Sequence, residues 1–180
     1  MFLPSCPFEI SSTNRYTSID EAAIIARKDI EKGEIEFLCG ILVRLGAEEA
    51  QELDQTGRSF SVVVTTRRNT TSLLIGPVQF VNHDCKPNAR LEPDGGGTKA
   101  VATRKIWTGE EITLKYSGRY FGESNRDCLC ETCQNNPLTE KVPQRNLRPR
   151  RGRIRVVTHP DLRGAQRHSS LYGFDWPRME

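Results

Sequence analysis

Apolar residues in the first two thirds of the chain come in short runs separated by polar turn signals. Runs rich in Ile, Val, Leu and Phe that are bounded by Gly, Asn or Asp are typical of β-strands. Strands are predicted at 22–26, 35–45, 60–65, 73–75 and 98–106, with turns at 31–34, 67–71 and 94–97. Because so many short strands are predicted beside so little helix, we expect a mostly β domain.

One segment has a helical composition, and one pattern recurs. Residues 47–53 are rich in Ala, Glu, Gln and Leu and stop near Gly57, which predicts a helix. Residues 26–35 and 102–112 share a pattern of a strand, a Gly turn and another strand. Any hairpin produces such a pattern, and two copies are too few for a solenoid.

The chain changes character after Cys133. The stretch 135–180 is polar, is interrupted by Pro and has no lasting period, so it is predicted to be a disordered tail. Within it, residues 171–176 are more apolar and could form a short binding motif.

Positions 141–180 hold ten Lys and Arg against three Asp and Glu, a net charge of +7, whereas the first 140 residues carry 16 Lys and Arg against 20 Asp and Glu, a net charge of −4. An acidic body suits a basic partner such as a histone tail, and a basic tail suits nucleic acid, although ordinary solvated charge gives the same pattern.

The sequence also indicates the cellular compartment of the protein. No segment approaches the roughly 20 apolar residues of a membrane span, and the start lacks the basic and apolar regions of a secretory signal. We therefore predict the cytosol or the nucleus, where thiols stay reduced. In that setting clustered cysteines indicate a metal site rather than disulfides.

The strongest chemical signal is the run Cys128-Leu-Cys130-Glu-Thr-Cys133. Zinc prefers tetrahedral thiolate sites, and three closely spaced cysteines leave one position to be filled from elsewhere. Cys85, in a polar loop, is the best candidate for the fourth ligand. Cys6 and Cys39 are weaker candidates, and Cys39 lies in an apolar run that predicts a core position.

Two further motifs carry polar residues of catalytic type. The first is residues 80–88, Phe-Val-Asn-His-Asp-Cys-Lys-Pro-Asn, and the second is residues 109–116, Gly-Glu-Glu-Ile-Thr-Leu-Lys-Tyr. Taken alone, a His in a loop is more often a surface or core residue, and a Tyr closing a strand is ordinarily a core or rim aromatic. Neither motif by itself identifies a site.

The three motifs in this order and spacing resemble the SET domain with its cysteine-rich post-SET segment. Additional segments are similar to the histone H4 lysine-20 methyltransferases, especially their fungal branch. These segments are residues 3–9, 13–16, 60–62, 66–69, 76–77 and 120–123. The resemblance covers roughly residues 2–134.

The resemblance implies a β-clip-like fold of small curved sheets in a knot-like arrangement. It divides the chain into a lead-in segment at 1–21, a SET domain at 22–122, a zinc-binding post-SET segment at 123–134 and the basic tail at 135–180. It implies a nuclear, chromatin-bound enzyme that transfers methyl groups from S-adenosylmethionine to a histone lysine, with the H4 tail or the nucleosome as partner.

The resemblance also assigns roles to residues. The implied catalytic residues are Tyr116, Asn82 and His83. The implied cofactor contacts are Tyr16, Thr17, Ser18, Ala22, Arg67, Asn82, His83 and Leu129. The implied lysine channel contains Phe60, Ser61 and Phe121, and the implied ligands of a structural zinc ion are Cys85, Cys128, Cys130 and Cys133.

Two other functions remain open at this stage. The family carries a helical domain before the SET core, which this chain is expected to lack, so a catalytically inactive, zinc-stabilised chromatin-binding module is one alternative. A zinc-containing protein that binds nucleic acid through its basic tail is another alternative, but this function leaves the Asn-His and Tyr motifs unexplained.

Overall fold

The computed structural model describes residues 3–15, 20–65, 70–117, 120–135 and 154–155. Ten strands are described: β1 Phe8–Thr13, β2 Glu21–Ala26, β3 Gly33–Arg44, β4 Val62–Thr65, β5 Thr70–Ile75, β6 Asn82–His83, β7 Ala89–Asp94, β8 Gly97–Ala102, β9 Thr113–Leu114 and β10 Ile154–Arg155. The helices are α1 Ala47–Gln55 and α2 Glu131–Asn135, and 3₁₀ turns lie at Ser59–Ser61, Pro77–Phe80 and Glu123–Asn125. The prediction of a mostly β domain is confirmed.

The strands form three small sheets. Strands β1 and β2 make an antiparallel pair, and a six-stranded antiparallel sheet has the order β10-β4-β5-β3-β8-β7. The third sheet is the parallel pair of β6 and β9, in which Asn82 lies beside Thr113 and His83 beside Leu114. This parallel pair brings the Asn-His motif against the strand that leads to Tyr116.

One apolar core holds these sheets together. Its largest fully buried side chains are Phe8, Ile24, Ile35, Leu38, Val63, Val78, Val81, Ile106 and Ile112. They come from β1, β2, β3, β4, the Pro77–Phe80 turn with the following Val81, and the segment between β8 and β9, so no single sheet buries its apolar face alone. Burying a side chain of this size is worth about 1.5–3 kcal/mol.

The two segments that share a sequence pattern pair with each other. Ile30 and Ile106 exchange both backbone hydrogen bonds, at 2.8 and 2.9 Å. The Ala26 amide donates to the Glu110 carbonyl, and the Gly109 amide donates to the Ala26 carbonyl. Each segment starts at the last residue of a strand, β2 or β8, and leads into the next strand; Gly33 is the first residue of β3, whereas Gly109 lies in the connection before β9. Their pairing ties β2 and β3 to β8 and β9.

Glycine permits a close approach between β3 and β8. A Cβ atom added to Gly97 would lie 2.2 Å from the Gly40 carbonyl oxygen, well inside contact distance. The pairing of these strands also shifts register between Glu34 and Cys39, and Phe37 within the shift has a φ of 65°. Such a bulge bends the strand and turns Phe37 outward, where it is 52% exposed.

Several predicted elements differ from the structure. The predicted strand at 60–65 begins as a 3₁₀ turn, so Phe60 and Ser61 precede β4. The predicted strand at 98–106 ends at Ala102, and β7 was missed because its sequence, Ala-Arg-Leu-Glu-Pro-Asp, is largely polar. The core position predicted for Cys39 is wrong: Cys39 is exposed, because Leu38 occupies the inward position.

The predicted helix at 47–53 is confirmed as α1, which ends two residues later. Of the predicted tail, Ile154–Arg155 is described and pairs with β4, whereas 136–153 and 156–180 lie outside the described residues. Within the described ranges, no helix is long and apolar enough to cross a membrane.

Candidate functional site

Asn82 joins three segments of the chain through its side chain. Its Nδ2 atom donates to the Ala22 carbonyl oxygen at 2.9 Å and to Glu111 Oε1 at 3.0 Å. A side-chain amide has two N–H donors, so both are satisfied by the protein itself. Asn82 therefore fixes β2 and the segment before β9 relative to β6.

His83 lies between Tyr116 and Cys85. The Tyr116 amide donates to His83 Nδ1 at 3.0 Å, and His83 Nε2 lies 3.4 Å from Cys85 Sγ. Burial lowers the pKa of His83 to about 4, so the imidazole is neutral near pH 7. Since Nδ1 accepts a hydrogen bond, the single ring proton is on Nε2 and points at the Cys85 sulfur. His83 thus links the tyrosine segment to the cysteine cluster.

Tyr116 belongs to a group of aromatic rings. Its hydroxyl donates to the Val81 carbonyl oxygen at 2.7 Å. Its ring centroid lies 4.8 Å from that of Tyr120 in an edge-to-face arrangement and 6.5 Å from that of Phe121 in a stacked one. Tyr120 and Phe121 also meet edge to face, at 4.6 Å. These distances are typical of favourable aromatic pairs.

Two other residues predicted for the channel, Phe60 and Ser61, lie in the 3₁₀ turn before β4. Phe60 is 45% exposed and stacks on Phe80 at 6.4 Å, and Ser61 is buried. Phe80 immediately precedes Val81, the residue that accepts the Tyr116 hydroxyl. Phe60 therefore contacts the residue that precedes Val81 in the chain.

The four predicted zinc ligands come together. Cys85 Sγ lies 4.0 Å from Cys128 Sγ and 3.5 Å from Cys133 Sγ, and the Cys85 amide lies 3.4 Å from Cys130 Sγ. Four sulfurs at about 2.3 Å from a tetrahedral zinc ion would be separated by about 3.8 Å. The two sulfur–sulfur distances from Cys85 lie close to that value.

The ionisation of these thiols also fits a metal site. Burial raises the pKa of Cys128 to about 12 and raises that of Cys85 above its ordinary range, and neighbouring cysteines add to both shifts. Thiolates packed this closely repel one another, so a cation is needed to stabilise them together. The cluster could hold a zinc ion.

His83 is a second possible ligand by distance alone. Its ring and the sulfurs of Cys85, Cys128 and Cys130 have ligand atoms within 4.8 Å of one another. However, Nε2, the nitrogen that faces the cluster, carries the proton and has no lone pair for a metal. Cys133 is therefore the better fourth ligand, and His83 is better placed to donate to a bound sulfur.

Two charged residues near the site were missed from the sequence. Arg15 Nη1 lies 2.9 Å from Glu131 and 3.4 Å from Glu111, whose side chain is only 8% exposed. This network connects the lead-in segment with the turn before β9 and with α2. Arg15 and Glu111 stand inside motifs that the resemblance covers, but nothing in the sequence indicates that they meet.

Some predicted cofactor contacts can be located and others cannot. Ala22 is held by Asn82, and Leu129 is 50% exposed between two buried cysteines. The predicted contacts Tyr16, Thr17, Ser18 and Arg67 lie outside the described residues.

Comparisons with known proteins agree on one family. The SET domain family matches residues 21–117, more than half of the chain. The chain is 50% identical over 147 residues to the histone-lysine N-methyltransferase set9 of Aspergillus terreus, covering 80% of this chain and 23% of that protein. It is 52% identical over 137 residues to set9 of Aspergillus oryzae, covering 74% and 22%.

A solved structure is a more distant match. A crystal structure of a Plasmodium falciparum protein shares 20% identity, with a TM-score of 0.48, over 64% of this chain and 96% of that one. The chain spans less than a quarter of the length of the fungal relatives it matches. Since the SET match covers the Asn-His and Tyr motifs and the sheets that bring them together, the chain belongs to the SET domain family.

Proposed function

We propose that the chain is the catalytic part of a histone-lysine N-methyltransferase that uses S-adenosylmethionine, with lysine 20 of histone H4 as its target. The observation that carries this proposal is the position of Tyr116, which is joined to the Asn-His segment by two hydrogen bonds and faces an aromatic group. The fungal relatives named histone-lysine N-methyltransferase support the same activity. The division into a lead-in segment, SET domain, post-SET segment and tail is part of the proposal.

The cofactor site would be formed by Ala22, Asn82, His83 and Leu129 and completed by Tyr16, Thr17, Ser18 and Arg67, with the bond from Asn82 to the Ala22 carbonyl as its described support. S-adenosylmethionine supplies a methyl group on a positively charged sulfur and carries an ammonium and a carboxylate group. The network of Arg15 and Glu111 offers charges of both signs beside Asn82, which suits such a molecule. The exposed Leu129 side chain would cover its apolar part and exclude water.

The target lysine would enter between the aromatic rings of Phe60, Phe121 and Tyr116. Methyl transfer requires a neutral amine, whereas free lysine has a pKa of about 10.4. A dry aromatic channel favours loss of that proton because burial disfavours the charged form. The Tyr116 oxygen would orient the amine, and the fixed geometry would supply most of the rate by alignment. Neither Asn82 nor His83 needs to act as a base, since their side chains hold the site together.

A zinc ion held by Cys85, Cys128, Cys130 and Cys133 would keep the post-SET segment against the SET domain. Its chemistry there is structural, because four thiolates close the coordination sphere. His83 would donate its Nε2 proton to the Cys85 sulfur, which connects the metal site to the Tyr116 backbone.

The proposed partner is the H4 tail, free or in a nucleosome, and the proposed location is chromatin in the nucleus. The net charge of −4 over residues 1–140 suits a basic peptide, and the basic residues of 141–180 suit contact with DNA.

The experiment is methyl transfer measured by mass spectrometry, with the full chain, labelled cofactor and a peptide of the H4 tail that contains the target lysine. We expect label on that lysine and none on a matched peptide with arginine in its place. Tyr116→Phe should lower the rate about 10²–10³-fold, since loss of one positioned hydrogen-bond group in a dry site typically costs that much, while the unfolding midpoint changes little.

Label on another lysine would leave a methyltransferase with a different target. Binding of the cofactor and peptide without transfer would instead support an inactive chromatin-binding module.

A further inference from the structure

Asp84 is a buried carboxylate next to the cysteine cluster. Only 6% of the residue is exposed, and its amide donates to the Leu114 carbonyl oxygen at 3.0 Å, which fixes it to β9. Its Oδ1 atom accepts hydrogen bonds from the Lys86 amide at 2.7 Å and from the Thr132 hydroxyl at 2.5 Å. Its Oδ2 atom accepts one from the Thr132 amide at 3.2 Å.

These bonds cross a long separation in the sequence. Asp84 and Thr132 are 48 residues apart, and each lies next to cysteines of the cluster. Asp84 immediately precedes Cys85, and Thr132 lies between Cys130 and Cys133. A contact between them therefore sets the distance between the two halves of the cluster.

Packing cannot set that distance on its own. Helix α2 buries none of its five residues, so it has no apolar anchor. Hydrogen bonds to a buried, charged acceptor are stronger than hydrogen bonds between neutral groups. Two such bonds from one residue are enough to hold a short exposed helix in place.

We propose that Asp84 and Thr132 form a metal-independent clasp, and that this clasp positions Cys130 and Cys133 opposite Cys85 before a metal ion binds. The proposal rests on the metal site proposed above. Because the clasp closes the loop in advance, the ion would not have to order the loop when it binds. Asp84 and Thr132 are thus positioning residues that act through the cysteines.

The consequence is a change in zinc affinity. Thr132→Val keeps the shape of the side chain and its amide but removes the hydroxyl donor, and Thr132→Ser keeps the donor. Loss of a group that orients metal ligands typically weakens binding about 10–100-fold. We expect Thr132→Val and Asp84→Asn to weaken zinc binding by about that much, and Thr132→Ser to bind like the parent.

The test uses the full chain in competition with a chromogenic zinc chelator, with hydrogen exchange of the metal-free protein as a second readout. Residues 128–135 should exchange faster in Thr132→Val and at the parental rate in Thr132→Ser, with exchange in β1 and β2 unchanged in both. Parental zinc affinity and parental exchange in both Thr132→Val and Asp84→Asn would overturn the clasp.

The two proposals fail in different ways. If the parent bound no zinc, the metal site would be wrong, and exchange at 128–135 would still decide whether the clasp orders the loop. If Thr132→Val did not fold, Asp84→Asn would provide the comparison. Neither result depends on methyl transfer.

Discussion

Asn88 is the residue whose replacement should damage the fold most directly through hydrogen bonding. It is 1% exposed, and its Oδ1 atom accepts the Thr113 amide at 2.8 Å. Its Nδ2 atom donates to the Glu111 carbonyl oxygen at 2.8 Å and to Glu110 Oε1 at 3.1 Å. One side chain therefore holds the loop after the Asn-His motif against β9, which leads to Tyr116.

The loss of stability in Asn88→Ala follows from the hydrogen bonds that the substitution removes. The Thr113 amide and the Glu111 carbonyl lose their partner, and each buried unsatisfied group costs about 1–3 kcal/mol. The lost bond to the Glu110 carboxylate adds to this, whereas water entering the vacated space offsets part of it. We expect the free energy of unfolding to fall by about 3–5 kcal/mol, out of the roughly 5–15 kcal/mol of a typical domain.

Urea unfolding followed by circular dichroism measures this change. Small domains have slopes of about 1–3 kcal/mol per molar urea, so the midpoint should move by about 2 M with an unchanged slope. Asn14→Ala is the matched control, because Asn14 is exposed, and it should stay within about 0.5 kcal/mol of the parent. A loss below about 1 kcal/mol for Asn88→Ala would refute the hydrogen-bond argument.

Three further predictions concern the metal site, strand packing and pH. The purified protein should contain one zinc ion per chain. The Cys85→Ser variant should lose this ion, and Cys39→Ser, at an exposed cysteine, should keep it. Metal analysis that finds full zinc occupancy in Cys85→Ser would contradict the ligand assignment. Gly97→Ala should lower the free energy of unfolding by about 1–3 kcal/mol, because the added methyl group overpacks the contact with Gly40. Gly96→Ala should be nearly neutral, since nothing lies close to its Cβ position. Equal thermal midpoints for the two variants would argue against the close approach of β3 and β8. Burial opposes the charge of the Glu110 carboxylate, but hydrogen bonds from Arg104 and other donors outweigh this and lower its pKa below the ordinary 4.5. The carboxylate therefore stabilises the fold above about pH 4.5, and this stabilisation is lost as the pH falls through its pKa in the folded protein. Glu110→Gln should therefore flatten the acid loss of stability, and an unchanged acid profile would show that this carboxylate contributes nothing.

Local patterns predicted much of this protein. Strands β2 and β3 and helix α1 follow from runs of apolar or helix-forming residues, because side-chain periodicity is a property of neighbouring positions. The cysteine spacing also predicted a metal site, since three ligands within six residues can reach one ion from one short loop. Cys85 as the partner of these three was a hypothesis from the loop it lies in, and the structure places its sulfur beside them.

Contacts between distant segments were decided by the tertiary structure alone. The apolar run around Cys39 predicted a core position, but the bulge and the alternation of β3 place Leu38 inside and Cys39 outside. Strand β7 is held by its pairing with β8 rather than by its own polar sequence. In both cases the environment of a residue depends on the strand beside it, which local sequence does not specify.

The roles of the motif residues show the same limit. The family resemblance gives Asn82 and His83 as candidates for chemistry, and only the fold shows that their side chains bond to Ala22, Glu111 and Tyr116. The clasp between Asp84 and Thr132 has no sequence signal at all. A hydrogen bond between residues 48 positions apart depends on how the whole chain folds, because distance along the chain does not determine distance in space.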